Sequence, residues 1–256
     1  MATSQYARLG AQPAKISAFV RYGFLLAIVS VALAVLAPLG NRLAWWHYQI
    51  AFTILRWSAY IGAGAAVIAL VGAILARPGG GRRGFVWGLL GIIIGLAVFS
   101  GPLLMLRKAK QVPPIHDITT DTTNPPQFAA VLPLRANTDN PATYGGPEIA
   151  AQQLKGYPQI VPLNLPVSPE RAFQRALATV RDSGWELVAA APAEGRIEAT
   201  ATTLVYGFKD DVVIRITPAA QGSRVDVRSV SRVGRSDLGA NAKRIDNFLN
   251  KLADVK

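Results

Sequence analysis

Long apolar runs are confined to the first 106 residues, and apolar positions are interleaved with polar ones afterwards. The stretch 24–39 is nearly unbroken, and Phe19 and Val20 extend it to the length of about 20 residues that a bilayer core requires. Two further runs, about 54–76 and 85–106, carry no acid, have Arg56 as their one basic residue, near the start of the first, and are about as long. The pattern predicts three transmembrane helices over about 19–39, 54–76 and 85–106, with Arg21 snorkelling to the headgroups. Lys15 and Arg21 before an apolar run, with Ala32-Leu33-Ala34 inside it, also suit a signal peptide. The run continues apolar past that site, so an uncleaved anchor is expected.

Beyond Arg107, Lys108 and Lys110, residues 111–156 are rich in Pro, Thr and Asn and show no periodicity, which makes them a tether or a strap wrapped over a domain. A compact pattern begins at Tyr157. Ser168-Pro169-Glu170 caps and opens a helix whose face carries Ala172, Phe173, Ala176, Leu177 and Val180. Stretches 185–191, 196–206, 212–217 and 224–233 then read as strands joined by short turns, Lys209-Asp210-Asp211 among them, and hence as an antiparallel meander. A last helix over about 237–253 carries Leu238, Ala242, Ile245, Leu249 and Leu252 at helical spacing, capped by Ser236 or Asp237. The expected fold is α+β: a membrane anchor over 1–110, a linker or strap over 111–156, and a soluble domain over 157–256 with two helices on one face of an antiparallel sheet.

Charge sharpens this division. Eleven of the 27 basic residues and none of the 15 acidic ones lie in 1–110, so the rest carries 16 basic against 15 acidic. The formal charge of +12 therefore belongs to the membrane flanks, and the soluble part offers no bulk field for nucleic acid. With the amino terminus in the cytoplasm, Arg8, Lys15, Arg21, Arg77, Arg82 and Arg83 fall inside, against Arg42, Arg56, Arg107, Lys108 and Lys110 outside. The cluster Arg77, Arg82, Arg83 carries this orientation, which puts the soluble domain on the non-cytoplasmic side. Trp45, Trp46 and Tyr48 form an aromatic belt with His47 as a solvated neighbour.

Gly84, Gly88, Gly91 and Gly95, with Gly62/Ala66 and Ala65/Ala69, give small-xxx-small spacing suited to a hairpin of the second and third helices or to a homo-oligomer. No Asp or Glu lies in a span, so the helices read as an anchor and not as a transport path. Zero cysteines and two histidines argue against a metal site and against thiolate chemistry, and no cofactor is implied.

The polar chemistry concentrates in residues 224–244. In strand geometry Ser229 and Ser231 continue the apolar face of Val225, Val227 and Val233, while Arg224, Asp226, Arg228 and Arg232 share the other. One reading makes Ser229, Ser231, Arg232, Arg235, Ser236 and Asp237 a ligand-binding set for an anionic or hydroxylated molecule at the helix amino terminus. The other makes the serines cross-strand hydrogen bonders, the Arg/Asp row a solvated ladder and the corner a cap. No catalytic residues are assigned: a hydrolase would have to recruit His116, and no Gly-x-Ser-x-Gly elbow is present. His116, Asp117 and Asp121 read as a hydrated loop, and Asp210-Asp211 as a hairpin turn.

The blocks Ile118-Thr119-Thr120-Asp121 with Pro125-Pro126, Gly195-Arg196-Ile197-Glu198-Ala199, Asp211-Val212-Val213-Ile214-Arg215 and, above all, Val227 through Gly239 resemble the bacterial and plastid family known as domain of unknown function 1499. The likeness covers roughly residues 112–254 and implies a fold and not a reaction. Other members look like lipoproteins or signal-bearing proteins, which implies an exported domain; this chain departs from them in carrying three spans and no lipobox cysteine. The expectation is a non-enzymatic protein of the bacterial inner membrane and envelope whose soluble domain binds a protein or envelope component. The alternative is a lipid or small apolar ligand held between sheet and helices, and a hydrolase comes third.

Overall fold

The computed structural model describes residues 15–79 and 81–254, so Arg8 lies outside the described residues. The chain divides into two compact units, 1–105 and 106–256.

The first unit is helical. α1 (Ala18–Arg42), α2 (Tyr48–Leu75) and α3 (Phe85–Ala109) have 25, 28 and 25 residues and are long and apolar enough to cross a membrane. α2 starts six residues before the expected span, so Tyr48 belongs to the helix and not to the connector. Trp46 donates its indole N–H to the Ala37 carbonyl at 3.1 Å, fixing the turn between α1 and α2. The small residues are used within the chain: a Cβ on Gly88 or Gly91 of α3 would come within 2.9 Å of the Ala73 or Ala69 side chain of α2, and one on Gly23 of α1 within 2.6 Å of Ala69 N. Close backbone approach of this kind supplies the van der Waals packing that holds helices together in lipid. A parallel bridge between Ile16 and Arg83 brings the entries of α1 and α3 together.

The second unit is built on one antiparallel sheet. Its strands are β1 (Asp117–Thr119), β2 (Leu163–Leu165), β3 (Glu186–Ala191), β4 (Arg196–Thr202), β5 (Lys209–Ala219) and β6 (Gly222–Ser231). The order is β1-β6-β5-β4-β3, with β2 pairing the same outer edge of β6 that β1 pairs further along. The meander β3–β6 is the expected one; β1 and β2 add two short strands to it. A two-residue turn after Ala219 needs Gly222 at φ +119, where a Cβ would overlap the Leu165 carbonyl.

Alternation along the strands makes two faces. On one, Ile197, Val212, Ile214, Val225 and Val227 are fully buried against α5 (Pro169–Asp182) and α6 (Ala240–Asp254), which supply Phe173, Val180, Ile245, Phe248 and Leu252. The other face is covered as well. Residues 120–145 cross it as a strap, fastened at one end where Thr120 N–H donates to the Val227 carbonyl at 2.9 Å and at the other where Asn140 N–H donates to the Arg232 carbonyl at 3.1 Å. A further helix, α4 (Gly146–Gly156), follows the strap. Its Gln153, 1% exposed, accepts the Thr119 N–H at 2.9 Å and donates to the Thr119 carbonyl at 2.6 Å. One side chain thus completes the outer edge of β1 as another strand would.

Candidate functional site

The strap covers a layer of charge. Arg228, 0% exposed, reaches up from β6 and grips Asp117 of β1 through Nε at 2.9 Å and Nη2 at 2.7 Å. Its remaining N–H groups donate to the strap carbonyls of Pro126 and Ala142 at 3.3 and 2.8 Å. The guanidinium lies between the rings of Phe128 and Tyr144, at 5.3 and 5.4 Å from their centroids. Burial pushes the Tyr144 hydroxyl up to about 12, with nearby Asp117 raising it and Arg228 opposing.

Asp211 of β5 anchors the strap's far end. Its carboxylate accepts from Arg135 of the strap at 2.7 Å, from both Nε and Nη2 of Arg232 at 2.9 and 2.8 Å, and from the Thr200 hydroxyl at 2.7 Å. Arg135 donates further to the carbonyls of Asn140, Val230 and Ser231. Glu198 of β4, also 0% exposed, pairs with Arg196 and accepts the backbone N–H groups of Ala129, Ala130 and Val131 at 2.9–3.0 Å. At the strap's beginning Asp226 and Asp121 share Arg215 and Arg224.

The expected solvated ladder and hydrated loop are therefore corrected. Asp117, Asp226 and Arg228 are buried, and Asp210-Asp211 lies inside β5 and not in a turn. The cause is the strap, which removes this face from water and leaves each of these charges an opposite charge as its partner. Burial raises the Asp211 carboxyl, but the bonds from Arg232, Thr200 and Arg135 win and hold it below its ordinary 3.8. A depressed acid gives stability that is complete above its unfolded value and is lost as pH falls through the folded one. The strap should consequently lose amide-exchange protection as pH falls below 3.8 and keep it above, and Asp211→Asn, lacking the titrating group, should flatten that acid profile.

The six residues singled out in the sequence separate. Arg232 belongs to the strap face, on Asp211. Ser229 and Ser231 face α6: Ser229 Oγ donates to Asn241 Oδ1 at 2.7 Å, and Asn241 Nδ2 donates to Ser231 Oγ at 2.9 Å. Arg244 reaches Ser229 at 3.0 Å and pairs with buried Asp210. Ser236 and Asp237 form the corner: Ser236 Oγ accepts the Leu238 N–H at 3.3 Å, and Asp237 accepts those of Gly239 and Asn241, both at 2.8 Å. α6 accordingly starts at Ala240, three residues later than expected, because Leu238 and Gly239 take positive φ of 54° and 80°. Burial and the neighbouring Asp210 push the Asp237 carboxyl up, against the pull of the two N–H groups and Arg244. Arg235 is exposed, and its carbonyl lies 3.3 Å from His116 Nδ1.

Asn241, Arg244, Glu198 and Arg135 escaped the sequence reading. Asn241 had a signal: it precedes Ile245, Phe248 and Leu252 at helical spacing, a polar residue on the apolar stripe opposite two serines on an apolar strand face. Among the described residues no hydrogen bond joins the His116 ring to a serine or aspartate, and no group of three or more His, Cys, Asp or Glu is placed to hold a metal.

Among the described residues, three of the surface depressions bear on the site. One of about 330 Å³ lies beside the corner, lined by Trp185, Lys243, Arg244 and Lys251. A second, about 280 Å³, opens at the strap's edge along Pro126, Phe128, Arg196 and Arg215. The third, about 480 Å³, sits at the opposite end of the sheet from the corner, lined by Pro169, Glu170, Phe173, Pro192, Glu194 and Ile216.

No curated protein matches the chain. A family model described as "Protein of unknown function (DUF1499)" matches residues 117–252, from the first residue of β1 to the last turns of α6. That match takes in the strap, the charged layer and the serine corner together, and it covers more than half of the chain, which therefore belongs to the DUF1499 family.

Proposed function

We propose that this chain is a membrane-anchored, non-enzymatic binding protein of the bacterial envelope whose soluble domain, on the non-cytoplasmic side, engages a protein or another envelope component. The observation that carries this reading is how the buried chemistry is spent. Arg135, Arg228 and Arg232 each face a carboxylate, the serines are bonded to Asn241, and the space between the sheet and α5 and α6 is filled by fully buried side chains. Such an interior supports recognition from the surface over a lipid or small ligand lodged inside. The non-cytoplasmic placement rests on Arg77, Arg82 and Arg83 between α2 and α3, beside the entry of α1 that carries Lys15.

The groove at the far end of the sheet suits an extended partner segment. Phe173, Ile216 and three prolines give it apolar walls, and Glu170 and Glu194 give it negative charge, so an apolar segment with a basic residue fits it. A photo-crosslinking residue at exposed Gln174, in the full chain in its native membrane, should capture one discrete protein or envelope polymer that the same residue at exposed Arg181 does not. Identical products from both positions, or none, would count against the reading.

A further inference from the structure

The hairpin joining β4 to β5 is unusual in what it exposes. Thr203 and Phe208 close it, with Thr203 N–H donating to the Phe208 carbonyl and Phe208 N–H to Thr203 Oγ1, both at 2.8 Å. Its tip presents Leu204 at 85% exposure and Val205 at 60%, above a stacked Tyr206–Phe208 pair with ring centroids 5.1 Å apart. A turn in an ordinary antiparallel meander carries Gly, Asn, Asp or Ser and not two aliphatic side chains pointing outward.

The end of the sheet that bears this tip is also the end at which the chain arrives from α3. Asp117 pairs with Val230, Ser231 N–H donates to the His116 carbonyl at 3.0 Å, and Arg232 N–H donates to the Lys209 carbonyl at 3.0 Å. His116 and the base of the hairpin are thus neighbours across β6. Between Lys110, the last of the cations after the third apolar run, and Asp117 lie six residues, which span at most about 25 Å when fully extended. Exposed Lys209, Arg235 and Lys243 stand at the same end, with Asp139 and Glu186 as exposed carboxylates there.

From this juxtaposition we propose that the tip Leu204–Tyr206 inserts into the interfacial region of a lipid bilayer, while Lys209, Arg235 and Lys243 meet anionic lipid phosphates. The chemistry is that of interfacial anchors in general: aliphatic and aromatic side chains enter the headgroup–acyl boundary and cations add attraction to anionic lipid. Insertion does not depend on what the far-end groove binds, and its failure would leave the partner reading standing.

Because the chain has no cysteine, a single nitroxide label can be placed at Val205→Cys in the full-length protein, reconstituted in vesicles of phosphatidylcholine and phosphatidylglycerol. Power saturation should show the label more accessible to oxygen than to a water-soluble nickel chelate, and the reverse for Gln221→Cys in the β5–β6 turn at the other end. Replacing Lys209, Arg235 and Lys243 together by glutamine should move the 205 label toward water and remove its dependence on phosphatidylglycerol. A 205 label as accessible to nickel as the 221 label, or shielded from both reagents as under a covering protein, would overturn the proposal.

Discussion

Arg228→Ala is expected to lower the stability of the soluble domain by about 3–5 kcal/mol, the cost of breaking a buried ion pair by removing one partner. Arg228 satisfies Asp117 and two strap carbonyls at once, and among the described residues it is the cation that pairs with Asp117. Without the guanidinium, Asp117 stays buried at 5% exposure with its charge uncompensated, and the Phe128 and Tyr144 rings face a void. Thermal unfolding of the full chain in detergent should show the domain's midpoint lowered by roughly 10 °C. Arg228→Lys should be nearly as damaging, because a lysine ammonium cannot bond Asp117 in two places and span two carbonyls. The double variant Arg228→Met with Asp117→Leu should recover most of the loss, since apolar replacement of a whole buried pair is often neutral. If Arg228→Ala unfolds at the wild-type temperature, the charged layer does not hold this domain together.

Glu198→Ala has a different expected signature, local and not global. Glu198 receives three consecutive strap N–H groups and the Arg196 guanidinium, and hydrogen bonds to a charged acceptor contribute about 1.5–3 kcal/mol each. Alanine would leave three donors facing apolar surface, so the strap should lift while the sheet and its α5–α6 face remain folded. Arg135 sits in the lifted segment, and trypsin should then cut after it in the variant while sparing wild type, where its guanidinium is held by Asp211. Glu198→Gln, which keeps an acceptor in place, should show intermediate sensitivity.

These two residues also mark where the sequence could and could not be read. The spans follow from unbroken apolar runs, and the meander and the two covering helices from apolar periods of two and of three to four, all of them local properties of the chain. The strap has no such period. Its order comes from bonds between residues about 70 to 100 positions apart, Val131 to Glu198 and Pro126 to Arg228 among them, and no short window contains both partners. Asp210-Asp211 has the composition of a turn beside Lys209, and it is the distant Arg232, Arg244 and Arg135 that make a strand interior tolerable for it. The true turn, 203–208, hid behind apolar residues that continue the strand pattern. α4 was missed although Pro147, Glu148 and Lys155 stand where a helix's first and last turns favour them.

The claim underlying all of this is that the face of the sheet opposite α5 and α6 is an interior, closed by a strap whose backbone is fastened to buried carboxylates. Amide hydrogen exchange of the full-length protein at Ala129, Ala130 and Val131 tests it most directly. Protection close to that of β5 and β6 in wild type, lost selectively in Glu198→Ala, is the predicted result; exchange at the rate of an exposed loop in wild type would contradict it.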